Sequence, residues 1–389
     1  LITAMDVIDD YNIDVTYDSN SLTNKLNASA FFFVFMHPSQ QQEQLVVDPI
    51  GAGPFVKKSF TPGTELILER VKDWWGDKIP EAESTTFFKA KGNIDEVSFV
   101  TIKEIASAVT ALRSGDVDMV AALSLPTVAE VRTIPNVEAV STGPLGWLFF
   151  HLNSLYEPLS DVRVRRAINH SVDRGALLNL YANLVDPLDT LIPPGKYGHD
   201  PSVKNYEFDL DRAKTLMSEA GYKDGFEMVL VGVTSIMDPQ RMDSTIAISA
   251  MMKEIGIDAP PLQEDTPKWI RTILKRDQTR IHMFPFRRSM TFRAPDDVLP
   301  FFERNIMPGR GQLATIDHDD LIEIVNKAGA SPDPVERDNL YKQAQKIYMD
   351  QAIAVNYALF VGYQGVSNRV TAPRWPSEQF IFPYTVSVQ

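Results

Sequence analysis

Cysteine is absent from the 389 residues, which excludes disulfides, a thiolate nucleophile and thiolate metal sites. Long apolar runs are absent as well. The longest candidate near the start, ASAFFFVFM at 28–36, falls well short of the roughly 18–20 residues that cross a bilayer. Histidine is scarce, and His37, His151, His170, His199, His282 and His318 stand too far apart for any local metal-ligand spacing. Positive charge is in deficit: 38 Lys and Arg against 51 Asp and Glu leave a net −13. A field of that sign disfavours nucleic acid and anionic membrane surfaces as main partners, while a local basic patch can still hold a small anion.

What is present is the composition of a folded, soluble chain long enough for two domains, with 44 % apolar and 23 % charged residues. Catalytic signatures are missing. Gly51-Ala52-Gly53-Pro54-Phe55 is half a dinucleotide fingerprint, but it lacks the third glycine and leads into a strand pattern. There is no Gly-x-Ser-x-Gly elbow, no phosphate-binding lysine loop and no His-Glu-x-x-His. Acidic pairs such as Asp116/Asp118, Asp296/Asp297 and Asp319/Asp320 read as solvated caps and loop faces.

The opening LITAMDVIDDYNIDVTY reads as a strand of alternating pattern. Residues 51–153 are strand-rich (FVKKSF, ELILERV, DEVSFVTI, WLFFHLN), with one helix in EIASAVTALRS that Gly115 stops. From Asn153 longer helices alternate with single strands. Ser160 is placed as N-cap of one helix through DVRVRRAINHSVDRGALLNLY, and Asp209 as N-cap of LDRAKTLMSEA, which ends at Gly221. The strand FEMVLVGV and the helix IAISAMMKEIG follow. Asp333-Pro334-Val335-Glu336 resembles a capping box opening a helix with Leu340, Tyr341, Ala344, Ile347 and Tyr348 on one face. Helices alternating with strands indicate an α/β fold.

The succession GAGPF (51–55), LILERVKDWWG (66–76), IDEVSFVTI (94–102), VTALRSGDVDMV (109–120), LSDVRVRRAINHSVDR (159–174), LIPPG (191–195), FDLDRAKTLMSEAGYKDGFEMVL (208–230) and DPVERDNLYKQAQKIYMDQAIAV (333–355) resembles the family 5 extracellular solute-binding proteins, the dipeptide, oligopeptide and nickel-binding class of ABC importers. The resemblance implies a two-lobed periplasmic-binding-protein fold of type II with a ligand cleft at the hinge. Its first lobe would be 51–153 and 361–389, its second 154–360, and 1–50 the end of an extra domain inserted in the first. It also implies a monomer that is not an enzyme and needs no cofactor or metal. Such a protein hands a small solute to an ABC permease in the periplasm or outside the cell, with or without a lipid anchor. Family members carry a long stretch before the point matching Leu1, so the N-terminal portion of the pattern is missing here.

The segment IHMFPFRRSMTFRAPDD, 281–297, departs from the family. Peptide-binding members carry a tryptophan and then an aspartate that pairs with the peptide's amino group. Alignment on Pro295 puts Arg288 and Thr291 at those positions, with Arg287 and Arg293 nearby, so an anionic or polyhydroxylated solute is expected. The plain alternative is a solvated loop whose arginines pair with Asp296, Asp297 and Glu303. Phe286 and Trp269 join the candidate ligand set, Trp269 by its match to a pocket tryptophan, with helix-to-sheet packing as the alternative role. Trp147 and Phe149 share a face of the strand entering the hinge, and Tyr357 and Phe360 stand at the return crossing. Trp74 and Trp75 are taken as structural, and Arg163, Arg165 and Arg166 as surface or interlobe pairs. The alternatives for function are a peptide binder with another anchor, a ligand-sensing receptor module, and a hydrolase using the cleft.

Overall fold

Apolar alternation runs twice through the first residues, and the chain folds there as an antiparallel hairpin of Ile2–Val7 and Ile13–Tyr17 rather than as the single strand expected. The polar stretch between them turns, with Ile8 N–H donating to the Asn12 carbonyl at 2.9 Å and the Asn12 amide gripping the Asp9 carboxylate. The computed structural model describes residues 2–9, 12–17, 51, 53–78, 92–188, 192, 198–234, 240–274, 281–289, 319–371 and 386–389. The chain divides into two units, one of Leu1–Phe32 with Gly146–Phe360, the other of Phe33–Leu145 with Val361–Gln389.

In the second of these units, Phe55–Thr61, Glu65–Arg70 and Glu96–Val100 form an antiparallel three-stranded sheet. The helix Ile105–Ser114 buries Ala108, Val109 and Leu112 and stops at Gly115, whose φ of 82° only glycine adopts without strain. Trp74 is buried and Trp75 exposed. The Trp74 ring lies so close over Gly76 that any side chain there would collide with it.

The first unit holds a mixed sheet in the order Pro261–Asp265, Leu230–Thr234, Met283–Ser289, then the part of Val137–Leu152 from Gly146 and the part of Ala354–Ser367 up to Phe360. The first two strands are parallel, and Met283–Ser289 runs antiparallel to Val137–Leu152. FEMVLVGV is not one strand: Phe226–Glu227 pairs with Ile257–Asp258, and Leu230–Thr234 joins the main sheet. The split follows from a mutual approach of backbones at Gly225 and Gly256, both at positive φ, where a side chain on Gly225 would strike the Gly256 carbonyl.

Helix caps set the flanking layers. Asp161, not Ser160, caps Val162–Ser171, because Ser160 ends a short helix of its own, Glu157–Ser160. The expected long helix is also interrupted: extended Val172 ends it, and Asp173 accepts from the Ala176 N–H to start Arg174–Leu180. Asp209 caps Leu210–Glu219 as its side chain predicts. Asp333 accepts from Val335 and Glu336 N–H at the start of Pro334–Asp350, but the capping box is one-sided, since the Glu336 carboxylate takes a bond from Ser331 Oγ instead. Along that helix Tyr341, Ala344 and Tyr348 are buried, with Leu340 and Ile347 packed partly against the same core.

Arg165 corrects the expectation of surface pairs. It is 3 % exposed, and its guanidinium donates to the carbonyls of Leu159, Ser160 and Gln351 at 2.8–2.9 Å, tying two helix ends together. Burial draws its pKa down to about 10. Its neighbour Arg163 does stay at the surface, paired with Asp161.

Candidate functional site

Register decides which side chains of the central strands meet. Phe284 lies opposite His151, Phe286 opposite Phe149, and Arg288 opposite Trp147. Opposed residues of an antiparallel pair share a face, so Phe149 and Phe286 come together, their ring centroids 5.5 Å apart. Trp269, on the helix Thr266–Leu274, closes over them from above the sheet, 5.5 Å from Phe286 and 6.3 Å from Phe284. Asp265 accepts from the Lys268 N–H and Thr266 Oγ1 donates to the Thr234 carbonyl, which fixes where that helix starts and where Trp269 points. Trp147 continues the group, in one core with Phe149, Phe286, Tyr341 and Tyr348.

These aromatics are dry: Trp147 and Trp269 are each 6 % exposed. Their indole Nε1 atoms are fully buried without a hydrogen-bond partner. A buried N–H left unpaired costs about 1–3 kcal/mol, and such groups are few in folded proteins. Two of them in one aromatic group leave two donors aimed at no acceptor among the described residues.

The remaining candidates separate. Arg287, opposite Leu148 on the other face, holds its guanidinium carbon 3.6 Å from the centre of the Phe360 ring, a cation–π contact. Tyr357 is turned into the interior, its hydroxyl 3.2 Å from that of Tyr181 and its ring 5.9 Å from Phe150. Phe149 and Trp147 are as deeply buried as Leu148 and Phe150, because helices cover both faces of the strand. For Arg288 the backbone register is defined, and its side chain lies outside the described residues, as do Thr291 and Arg293.

His151 was not among the candidates, although the alternation through Trp147 and Phe149 leads directly to it. It is buried against Phe284 with centroids 5.0 Å apart, and desolvation lowers its pKa to about 3, so it is neutral and acts as an aromatic spacer. The strand pair is locked just beyond it: Asn153 Nδ2 donates to the Ile281 carbonyl, and the Val229 N–H donates to His282 Nδ1. Among the described residues no group of three or more metal-ligating side chains assembles. The chemistry on offer is recognition: flat apolar surface, indole donors and guanidinium.

The sequence matches the family described as "Bacterial extracellular solute-binding proteins, family 5 Middle" over residues 1–305. Among curated relatives, Heme-binding protein A of Haemophilus influenzae is 24 % identical over 383 residues, covering 95 % of this chain and 67 % of its own length. The Dipeptide-binding protein of Escherichia coli is 22 % identical over 361 residues, covering 92 % and 64 %. The chain thus spans about two thirds of the length of these relatives. Among solved structures, HbpA2 from Haemophilus parasuis aligns with a TM-score of 0.83 at 19 % identity over 100 % of this chain and 76 % of that one. The periplasmic binding protein DppA from Helicobacter pylori, in complex with the peptide STSA, gives 0.76 at 23 % over 100 % and 74 %. The fold is that of the type II periplasmic binding proteins. Proteins of this kind are periplasmic or extracellular, and they bind substrates rather than convert them. A match over residues 1–305 of the 389, with this fold, makes the chain a member of the family 5 bacterial extracellular solute-binding proteins.

Proposed function

We propose that the chain is the substrate-binding component of an ABC importer and captures a small polar solute that is anionic or rich in hydroxyls. The carrying observation is the group of Trp147, Phe149, Trp269 and Phe286 with two indole N–H donors that have no acceptor. Aromatic faces take the apolar body of a solute, and the two N–H groups donate to an oxygen, of a carboxylate or a hydroxyl, as their missing partner. A solute without such an oxygen leaves them unpaired, which is how a buried polar group discriminates. Reaching them requires the covering side chains to shift, so binding is coupled to a change around the indoles.

Arg288 and Arg293 supply the charge complement in place of the cation anchor of peptide-binding members. The lobes are 51–153 with 361–389, and 154–360, with 1–50 belonging to an extra domain; hinge closure encloses the solute. The protein works as a monomer with a membrane permease and without nucleic acid, anchored by lipid or free. Relatives named for binding heme, dipeptides and glutathione all fit a carboxylate-bearing solute.

Titration of the purified protein with heme, glutathione and a dipeptide, followed by calorimetry and tryptophan fluorescence, tests this. Saturable binding of a carboxylate-bearing solute, weakened by Arg288→Ala and by Arg293→Ala without loss of fold, is expected. Full affinity in both variants would discard the arginine anchor. A preference for an uncharged peptide amide over its free acid would discard the anionic class.

A further inference from the structure

The chain changes sheets between Glu227 and Leu230. Phe226–Glu227 pairs with Ile257–Asp258, and the Met228 N–H still donates to the Asp258 carbonyl, whereas Leu230 already lies opposite Met283 in the main sheet. Val229 stands at the crossing, and its N–H finds an acceptor in a side chain: it donates to His282 Nδ1 at 3.0 Å. The Val229 carbonyl in turn accepts from the N–H groups of His282 and Met283, each at 3.1 Å. The crossing and the start of the next strand are thus tied by three hydrogen bonds, one of which passes through the imidazole.

A third segment closes on the same half-buried ring. Just past Val137–Leu152, the Asn153 N–H donates to the His282 carbonyl at 2.9 Å and its Nδ2 to the Ile281 carbonyl at 2.8 Å. Tyr156 then lies flat on the imidazole, with centroids 3.6 Å apart and planes 6° from parallel, while its hydroxyl donates to the Glu227 carbonyl at 2.7 Å. The strand Met283–Ser289, which carries Phe284, Phe286 and Arg288, begins at the next residue. Its register against Val137–Leu152 is held from this end, and a slip of one residue would turn each of those side chains to the other face.

We infer that His282 is a positioning residue for the solute site, holding the strand of Phe286 and Arg288 in place through the Val229 N–H and releasing it on protonation. This rests on the recognition role proposed above for that strand. Nδ1 accepts a hydrogen bond only while it carries no proton, so the neutral ring keeps its hydrogen on Nε2, whereas an imidazolium presents N–H on both nitrogens. A proton on Nδ1 sets donor against donor and strands the Val229 N–H. Among the described residues, the titratable groups on the segments packed around the ring are Tyr156, Glu157 and Glu227. Burial, and then the charges of Glu157 and Glu227, raise the Tyr156 pKa, so the phenol keeps its proton throughout the range in which imidazole ordinarily titrates, about pH 5 to 8.

Amide hydrogen exchange of the intact chain, resolved by mass spectrometry and corrected for the intrinsic effect of pH, tests this at about pH 7.5 and about pH 5.5. On acidification wild type is expected to lose about tenfold in protection over the segments holding Val229 and Met283–Ser289. His282→Asn offers Oδ1 near the place of Nδ1 and takes up no proton, so it should keep that protection at both pH values. His282→Ala should exchange fast at both. A loss in His282→Asn as large as in wild type would overturn the proton switch, and equal protection of Met283–Ser289 in all three proteins would overturn the positioning role. Glutathione affinity, measured by calorimetry in the same series, should follow the protection. Affinity that stays constant in wild type while protection falls would detach His282 from the solute site. Absence of glutathione binding at either pH would count against that solute, while the exchange of wild type and His282→Asn still decides whether His282 holds the strand.

Discussion

Two regions of one unit are built in opposite ways. The aromatic group buries Trp147, Phe149 and Trp269, with Phe286 partly buried against them, and its two indole donors have no partner among the described residues. A cleft lined by Arg166, Lys204 and Arg212 is open, and the Arg212 guanidinium in it makes no hydrogen bond or ion pair among the described residues. In the first, interactions act over contact distance and are insensitive to salt, and the selectivity lies in what a wrong solute leaves unsatisfied. In the second they are Coulombic, reach about 8 Å at physiological ionic strength and weaken as salt rises. The first region is bound up with the fold and the second is not.

That difference predicts unequal effects of truncation. Phe149→Ala removes a ring from the packed core between strand and helices and is expected to cost about 3–5 kcal/mol in urea unfolding. Arg212→Ala, at an exposed position without a partner, should stay within about 0.5 kcal/mol. Equal losses from the two would erase the distinction between a dry, structural region and a wet, dispensable one. Arg165 is the intermediate case, a cation beside Arg166 that belongs wholly to the structure. Arg165→Met strands three carbonyl acceptors and is expected to cost about 3 kcal/mol.

Acid separates the regions next. His151 is held neutral inside the aromatic region with a pKa lowered to about 3 from 6.5. Between those values the unfolded chain takes up a proton that the folded chain refuses. Its contribution is therefore complete above pH 6.5 and is lost as pH falls toward 3. From pH 6.5 to pH 5 the expected loss is about 2 kcal/mol. His151→Phe, if it folds, should flatten the profile of denaturation midpoints over that window. An identical slope in the variant would show that His151 is not the group being titrated.

Local chemistry made much of the fold legible. Gly115 at a helix end, Asp209 and Asp333-Pro334 at helix starts, and the apolar stripe from Leu340 to Tyr348 all express rules that operate within a few residues. The break at Val172 was signalled by Asp173 but masked by helical residues on both sides. Burial of Arg165 was not legible, because its partners are carbonyls at two helix ends, one of them far along the chain. For the candidate site, the alternation of Trp147 and Phe149 was readable. Their meeting with Phe286 depends on strand register, and that with Trp269 on the placement of a helix, neither of which a linear pattern encodes.

A small expected change in stability gives the sharpest test of the dry region. Trp147→Phe and Trp269→Phe remove an indole N–H that costs the fold about 1–3 kcal/mol where it stands unpaired. Against that gain stands the smaller ring, which leaves a void of opposite sign and similar size. The two nearly cancel, so each variant should unfold within about 1 kcal/mol of wild type. Binding has no such cancellation. If the indole donates to a solute oxygen, its loss should weaken affinity by about tenfold, near 1.4 kcal/mol, and the deficit should persist at high salt. A stability gain with unchanged affinity would mean that the unpaired donors are a cost of packing and that the solute is bound elsewhere.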